Sequence, residues 1–148
     1  MLTGSVIIDI EGKKITQKDI QRLSHPMVCG VILFTRNFDN KNQIQDLISA
    51  IKSVREDLLI TVDHEGGRVQ RFRGNFYPMP SMSKLGDLYV HDDEQALRFA
   101  RYAGWLIAQE LAELYIDLNY SPVLDINYGQ SSVLGNSSFS DHPSVIIQ

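Results

Sequence analysis

Ile60-Thr61-Val62-Asp63-His64-Glu65-Gly66-Gly67-Arg68-Val69-Gln70-Arg71-Phe72 carries an apolar run straight into two carboxylates, a glycine pair and two arginines. Thr61 and Val62 are β-branched strand formers, and strand alternation would aim Asp63 and Glu65 to one side. Gly66 and Gly67 allow a sharp turn and a close approach of ligand to backbone. If a helical turn follows, Arg68 and Arg71 stand on neighbouring faces. Their planar forks suit a carboxylate, a phosphate or a vicinal diol. The same run also reads as a strand, a tight turn and a surface ion pair between Glu65 and an arginine. Its setting favours a ligand site, because α/β folds bind ligands beyond the carboxyl ends of their strands.

Working outward, strand and helix signals alternate. Residues 5–10, 30–34 and 58–62 are apolar runs that end in polar residues, and residues 116–126, interrupted by Pro122, hold a fourth. Runs apolar on both faces suit a parallel sheet covered by helices. Thr16 with Asp19 forms a capping box for a short helix that stops before Pro26. Asn40 with Gln43 caps a longer helix, in which Ile44, Leu47, Ile48, Ile51 and Val54 follow the spacing of a buried stripe. Asp92 or Asp93 opens a third, with Leu97, Ala100, Ala103, Gly104, Ile107, Leu111 and Leu114 on one side. Trp105 and Met82 read as packing residues. Residues 75–83, with Pro78 and Pro80, read as a long loop over the strand ends. Pro143 to Gln148 looks like the first turn of a further helix, with Ser140 or Asp141 near its cap.

This alternation gives a doubly wound sheet or part of a (β/α) barrel. Polar residues close every strand at its carboxyl end, and no glycine-rich phosphate loop follows the first strand, so the barrel is preferred. A full barrel needs about 250 residues. The 148 residues are therefore expected to form one domain, 1–148, comprising about the first four βα units of a partial TIM barrel.

Composition narrows the function classes. Fourteen Lys and Arg against eighteen Asp and Glu give a formal charge of −4 and a pI near 5.5, with no block of like charge. That leaves no electrostatic footprint for nucleic acid. No apolar run approaches the length of a membrane span and no leader-like start is present, so a cytoplasmic location is expected. Cys29, the only cysteine, reads as a buried inert thiol just ahead of the second strand. His25 and His142, each before a proline, read as turn residues and His91 as an exposed loop residue. His64 should point away from Asp63 and Glu65, so no metal cluster is expected there.

Four segments then match one family in order and spacing: Asp9-Ile10-Glu11-Gly12, Gly30-Val31-Ile32-Leu33-Phe34-Thr35-Arg36-Asn37, residues 62–72, and Ser121-Pro122-Val123-Leu124-Asp125. The chain resembles, over nearly its whole length, the amino-terminal part of bacterial β-N-acetylhexosaminidases of glycoside hydrolase family 3. The resemblance implies a retaining exo-glycosidase that removes terminal β-linked N-acetylglucosamine, typically from muropeptides during peptidoglycan recycling, with no cofactor. It implies that Asp63 accepts hydrogen bonds from hydroxyls of the terminal sugar and that Arg71 shares the task, roles that suit a carboxylate and a guanidinium. Without it, Asp63 is a strand-end turn residue and Arg71 an ion-pair partner of Glu65.

Two departures qualify the match. Where the family carries an arginine that contacts the sugar, the loop here reads Gly135-Asn136-Ser137-Ser138-Phe139, so Ser137 takes the arginine's place. The family's Lys-His pair, histidine acid/base and aspartate nucleophile lie in segments outside these 148 residues. No residue in the chain is assigned as nucleophile or acid, the two groups that retention requires. Asp9, Glu11, Glu65, Asp117 and Asp125 are read as strand-end hydrogen-bond partners. The chain alone is expected to be inactive. A second reading is a non-catalytic sugar-binding or interaction module, and a third, an enzyme acting on a phosphorylated substrate, lacks a phosphate loop. The expected partners are an N-acetylglucosamine-containing carbohydrate and, through open barrel edges, further copies of the chain.

Overall fold

In a computed structural model, which describes residues 4–148, four strands form one sheet in the order β1 (Val6–Asp9), β2 (Val28–Leu33), β3 (Leu59–Val62) and β4 (Leu118–Asn119). Every neighbouring pair is parallel, as the buried apolar runs predict. The first helix, α1 (Gln17–Leu23), opens with the capping box read from Thr16 and Asp19 and stops at Ser24, ahead of Pro26. The second, α2 (Lys41–Val54), is capped by Asn40, whose side chain accepts from the Gln43 N–H. Then come α3 (Met82–His91), α4 (Asp93–Ala112) and α5 (Pro143–Ile146).

The described residues divide into two compact units. The first comprises residues 4–63, 71–76 and 110–119 and holds the whole sheet with α1 and α2. Strand register places Ile8, Val31 and Ile60 on one face, with Leu33 opposite Val62. Val31, Leu33, Ile60 and Val62 are fully buried there, as are Ile44 and Ile51 of α2. Arg55, at the end of α2, donates to the carbonyls of His25 and Val28 at 3.1 and 2.9 Å and forks onto Asp57. Asp117 accepts from the Ile60 N–H at 2.8 Å and from Lys52 at 3.2 Å, which ties the start of β4 to β3 and α2.

The fourth strand is much shorter than the run 116–126 that announced it. Only Leu118 and Asn119 stand in ladder register with β3, after the Asp117 N–H has donated to Ile60 O at 2.8 Å, and Pro122 has no N–H to offer a ladder. The sheet edges are open: Val6 on β1 and Leu118 on β4 are 43% and 44% exposed. Cys29 lies within β2, not ahead of it, and is half-buried with its Sγ 3.4 Å from the Val6 carbonyl.

The second unit comprises residues 64–70, 77–109 and 120–148. Its α3 starts inside the segment expected to be a loop, and nothing in the sequence reading anticipated it. Met82, Leu85 and Gly86 are its buried residues, so Met82 packs as expected, while His91 closes the helix. Along α4, Ala96, Ile107 and Leu111 are buried, but Leu97 is 40% exposed and Trp105, read as a packing residue, is 61% exposed. His142, before Pro143 at the start of α5, takes the capping position that Ser140 or Asp141 was expected to approach.

One buried side chain holds the tops of β1 and β2 together. Asn37 is fully buried, donates to Ile10 O at 3.1 Å and Gly12 O at 2.8 Å, and accepts from the Phe34 N–H at 2.9 Å. Replacing it with alanine takes the side-chain partner from the Phe34 N–H and the Gly12 carbonyl, while the Ile10 carbonyl keeps only Arg36 Nε at 3.2 Å. Asn37→Ala should cost about 2–4 kcal/mol in urea unfolding, whereas a cost below about 0.5 kcal/mol would show the bonds to be dispensable.

Candidate functional site at the strand ends

The register dictates where chemistry gathers. Ile32 pairs with Asp9, Leu33 with Val62, and Val62 with Asn119, so the parallel strands end close to one level. Beyond that level in the first unit stand Asp9, Phe34 and Asp63, each at or just past a strand's carboxyl end.

Asp63 and Arg71 meet as a bidentate pair, with Nε of Arg71 2.7 Å from Oδ1 and Nη2 closing on Oδ2. Both side chains stay about a quarter exposed. A carboxylate with unspent lone pairs beside a guanidinium can accept from one hydroxyl while its partner donates to the next. Arg71 also lies over the Phe34 ring, its Cζ 5.4 Å from the centroid. Arg36, in the 3-10 turn Thr35–Asn37, lies against the same ring at 4.7 Å and reaches Asp9 at 2.5 Å. The residues after Arg71 are anchored by aromatic packing, with Phe38, Phe72 and Phe76 mutually in contact at centroid separations of 5.1–5.7 Å. Such pairs add about 0.5–1.5 kcal/mol each beyond burial. Lys41 caps the cluster, 4.9 Å above Phe76.

Between Asp63 and Arg71 the chain does not form the helical turn that would have placed Arg68 and Arg71 on adjoining faces. It makes a tight reversal instead, with Gly66 bridged to Val69 and the Glu65 N–H donating to Val69 O at 2.9 Å. Arg68 goes to the second unit's long loop and donates to Val133 O at 2.7 Å. Gln70 is buried and spans Tyr77 O and the Met79 N–H. Arg71 therefore takes Asp63 as its carboxylate partner, not Glu65. Glu65 is buried, and its Oε2 has no hydrogen-bond partner among the described residues.

Ser137 lies in the second unit, buried at the end of the 3-10 turn Gly135–Ser137. The segment around it is fixed by Ser138, whose hydroxyl donates to Asp125 O at 2.6 Å, and by Asn127, whose N–H donates to Ser140 O at 3.0 Å. Of the residues singled out in the sequence, the geometry joins Asp63 to Arg71. It also adds Asp9, Phe34 and Arg36, which the sequence reading quoted but gave no site role. Their link is one shared aromatic ring, a contact no spacing rule announces. Among the described residues no group of three or more His, Cys, Asp or Glu side chains could hold a metal ion, and no helix is long and apolar enough to cross a membrane.

With this geometry in place, comparison with known proteins decides the family. Residues 4–148 match the glycosyl hydrolase family 3 N terminal domain. The chain belongs to that family. It is 46% identical over 140 residues to a beta-hexosaminidase of Methylobacillus flagellatus, covering 94% of this chain and 40% of that protein. A beta-hexosaminidase of Haemophilus influenzae is 47% identical over 138 residues, covering 93% and 38%. Among solved structures, native NagZ from Neisseria gonorrhoeae superposes with a TM-score of 0.92 at 40% identity, over 99% of this chain and 44% of that one. The same protein has been solved in complex with N-trifluoroacetyl-D-glucosamine. The chain thus spans about 40% of the length of the curated relatives it matches, and its four parallel strands and helices are those of an α/β, TIM-barrel-like amino-terminal portion.

The reversal after Asp63 depends on backbone that only glycine adopts without strain. Gly66 has φ +102°, and a methyl group there would fall 2.5 Å from Pro80 O, whereas Gly129, at φ +72°, has nothing within 4 Å. Gly66→Ala should therefore destabilise the chain by about 2–4 kcal/mol and Gly129→Ala by about 1 kcal/mol. Thermal melts giving equal costs would remove the reversal's claim to tight packing.

Proposed function

We propose that residues 1–148 are the sugar-holding, amino-terminal portion of a single barrel domain in a retaining β-N-acetylhexosaminidase that acts on terminal β-linked N-acetylglucosamine, as in cytoplasmic recycling of muropeptides. The observation that carries this reading is the Asp63–Arg71 pair, part-exposed at the carboxyl end of a parallel strand. A vicinal diol matches it: the carboxylate accepts from two hydroxyls and the guanidinium donates to their oxygens. The N-acetylglucosamine analogue bound by the gonococcal protein supports the same ligand class.

Retention at an anomeric carbon requires a nucleophile and an acid/base. In this reading neither is among these residues, so the 148 residues hold the sugar and do not cleave it. Ser137 in place of the family's arginine removes one charged fork, which lowers affinity. A non-catalytic sugar-binding module would use the same pair, and sugar binding without hydrolysis by any completed protein would favour it.

Calorimetric titration with N-acetylglucosamine tests the assignment. Asp63→Ala and Arg71→Ala should each weaken binding roughly 10- to 100-fold, the value of a hydrogen bond to a charged group, and Ser137→Arg should strengthen it. Unchanged affinity in all three variants would make these residues structural. The 148-residue chain should release no chromophore from a chromogenic β-N-acetylglucosaminide, and steady turnover would place the catalytic groups within it.

A further inference from the structure

The two faces of the sheet differ. Strand alternation and register place Val31, Leu33, Ile60 and Val62 on one face, where all four are fully buried. The other face carries Ile7, Ile32, Leu59, Thr61 and Leu118, levelled by the pairing of Gly30 with Ile7 and Leu59 and of Thr61 with Ile32 and Leu118. There Ile7, Ile32 and Leu59 are only half-buried, and Leu118 is exposed. Thr61 supplies the one hydroxyl that the strands put on this face, and it is buried and donates to Val31 O at 3.1 Å. Below the rim marked by Asp9, this face therefore has no side-chain polar group that needs water. Its margins are open too: among the described residues β1 and β4 each have a neighbour on one side only.

We infer that this face and both edges dock a second copy of the chain, β4 of each copy pairing in parallel with β1 of the other, so that two four-stranded sheets close one eight-stranded barrel. Three features select that occupant. All strands run in one direction, so a two-fold axis along the barrel continues both edges with parallel strands and leaves none open. Two sheets of four give eight strands, the number at which inward side chains just fill a closed barrel. The inward side chains are apolar, so packing against their own copies removes them from water. A single added strand would pair one edge and leave the face bare. The axis also brings both Asp63–Arg71 pairs to the same end of the barrel, because each stands at the carboxyl end of β3. The pairing holds whatever ligand those residues take.

Sedimentation equilibrium of the purified 148-residue chain should show a discrete dimer, twice 16.8 kDa, and nothing larger. Val6→Lys on β1 and Leu118→Glu on β4 each put an unpaired charge at a closed seam. Either should weaken dimerisation at least roughly 100-fold while leaving the far-UV circular dichroism unchanged. Mixed in equal amounts, the two variants should dimerise again, since the new ammonium and the new carboxylate share one seam and the other keeps Val6 and Leu118. Hydrogen exchange on the unaltered chain needs no variant: amides of β1 and β4 should slow as concentration rises, and this result decides if a substitution costs the fold. A monomer throughout the accessible range, a mass that climbs with concentration, or a dimer that survives either substitution would each overturn the inference. So would folded variants that stay monomeric when mixed, or exchange at β1 and β4 indifferent to concentration.

Discussion

Parallel strands that end at one level create the rim on which everything else depends. With Leu33 opposite Val62 and Val62 opposite Asn119, the first residues beyond the ladder have no backbone partners in the sheet and must satisfy themselves through side chains. Asn37 satisfies the backbone of β1 and β2, and Asp117 does the same at the start of β4. What remains at the rim, Asp9, Phe34 and Asp63, is free of that duty and is organised by two arginines instead. The alternation Asp9, Arg36, Phe34, Arg71, Asp63 is a row of opposite charges around one aromatic ring. The side chains of its two ion pairs are partly exposed, so their hydrogen bonds are open to exchange with a polar ligand.

Local chemistry made much of this legible. Thr16 with Asp19 and Asn40 with Gln43 are contacts across three residues, so their caps are readable from sequence and form as expected. The buried stripe of α2 is equally local, a matter of helical period. The elements that escaped were those whose cause is distant. Ser81 opens α3 without a side-chain cap bond, just after Pro78-Met79-Pro80, so nothing near it announces a helix. The length of β4 was set by how far β3 could pair with it, not by its own apolar run. Trp105, read as a packing residue, lies on a part of α4 that stays exposed.

The site divides along the same line. Asp63 and Arg71 were singled out through a signature and a family resemblance; the reading without that resemblance paired Arg71 with Glu65, whereas the structure pairs it with Asp63. Asn37 and Arg36 act on Ile10, Gly12 and Asp9, some 25–27 residues earlier in the chain, and no periodicity links positions so far apart. The chain matches the family across residues 4–148, the span that contains the signature.

The central claim is that the Asp63–Arg71 pair is a sugar clasp and not a strut between a strand and a loop. A crystal structure of the chain grown with N-acetylglucosamine tests it most directly. The account predicts ring hydroxyls within hydrogen-bond distance of both Asp63 carboxylate oxygens and the Arg71 guanidinium, with the sugar seated beyond the end of β3. A sugar bound elsewhere, with the ion pair closed and untouched, would contradict it.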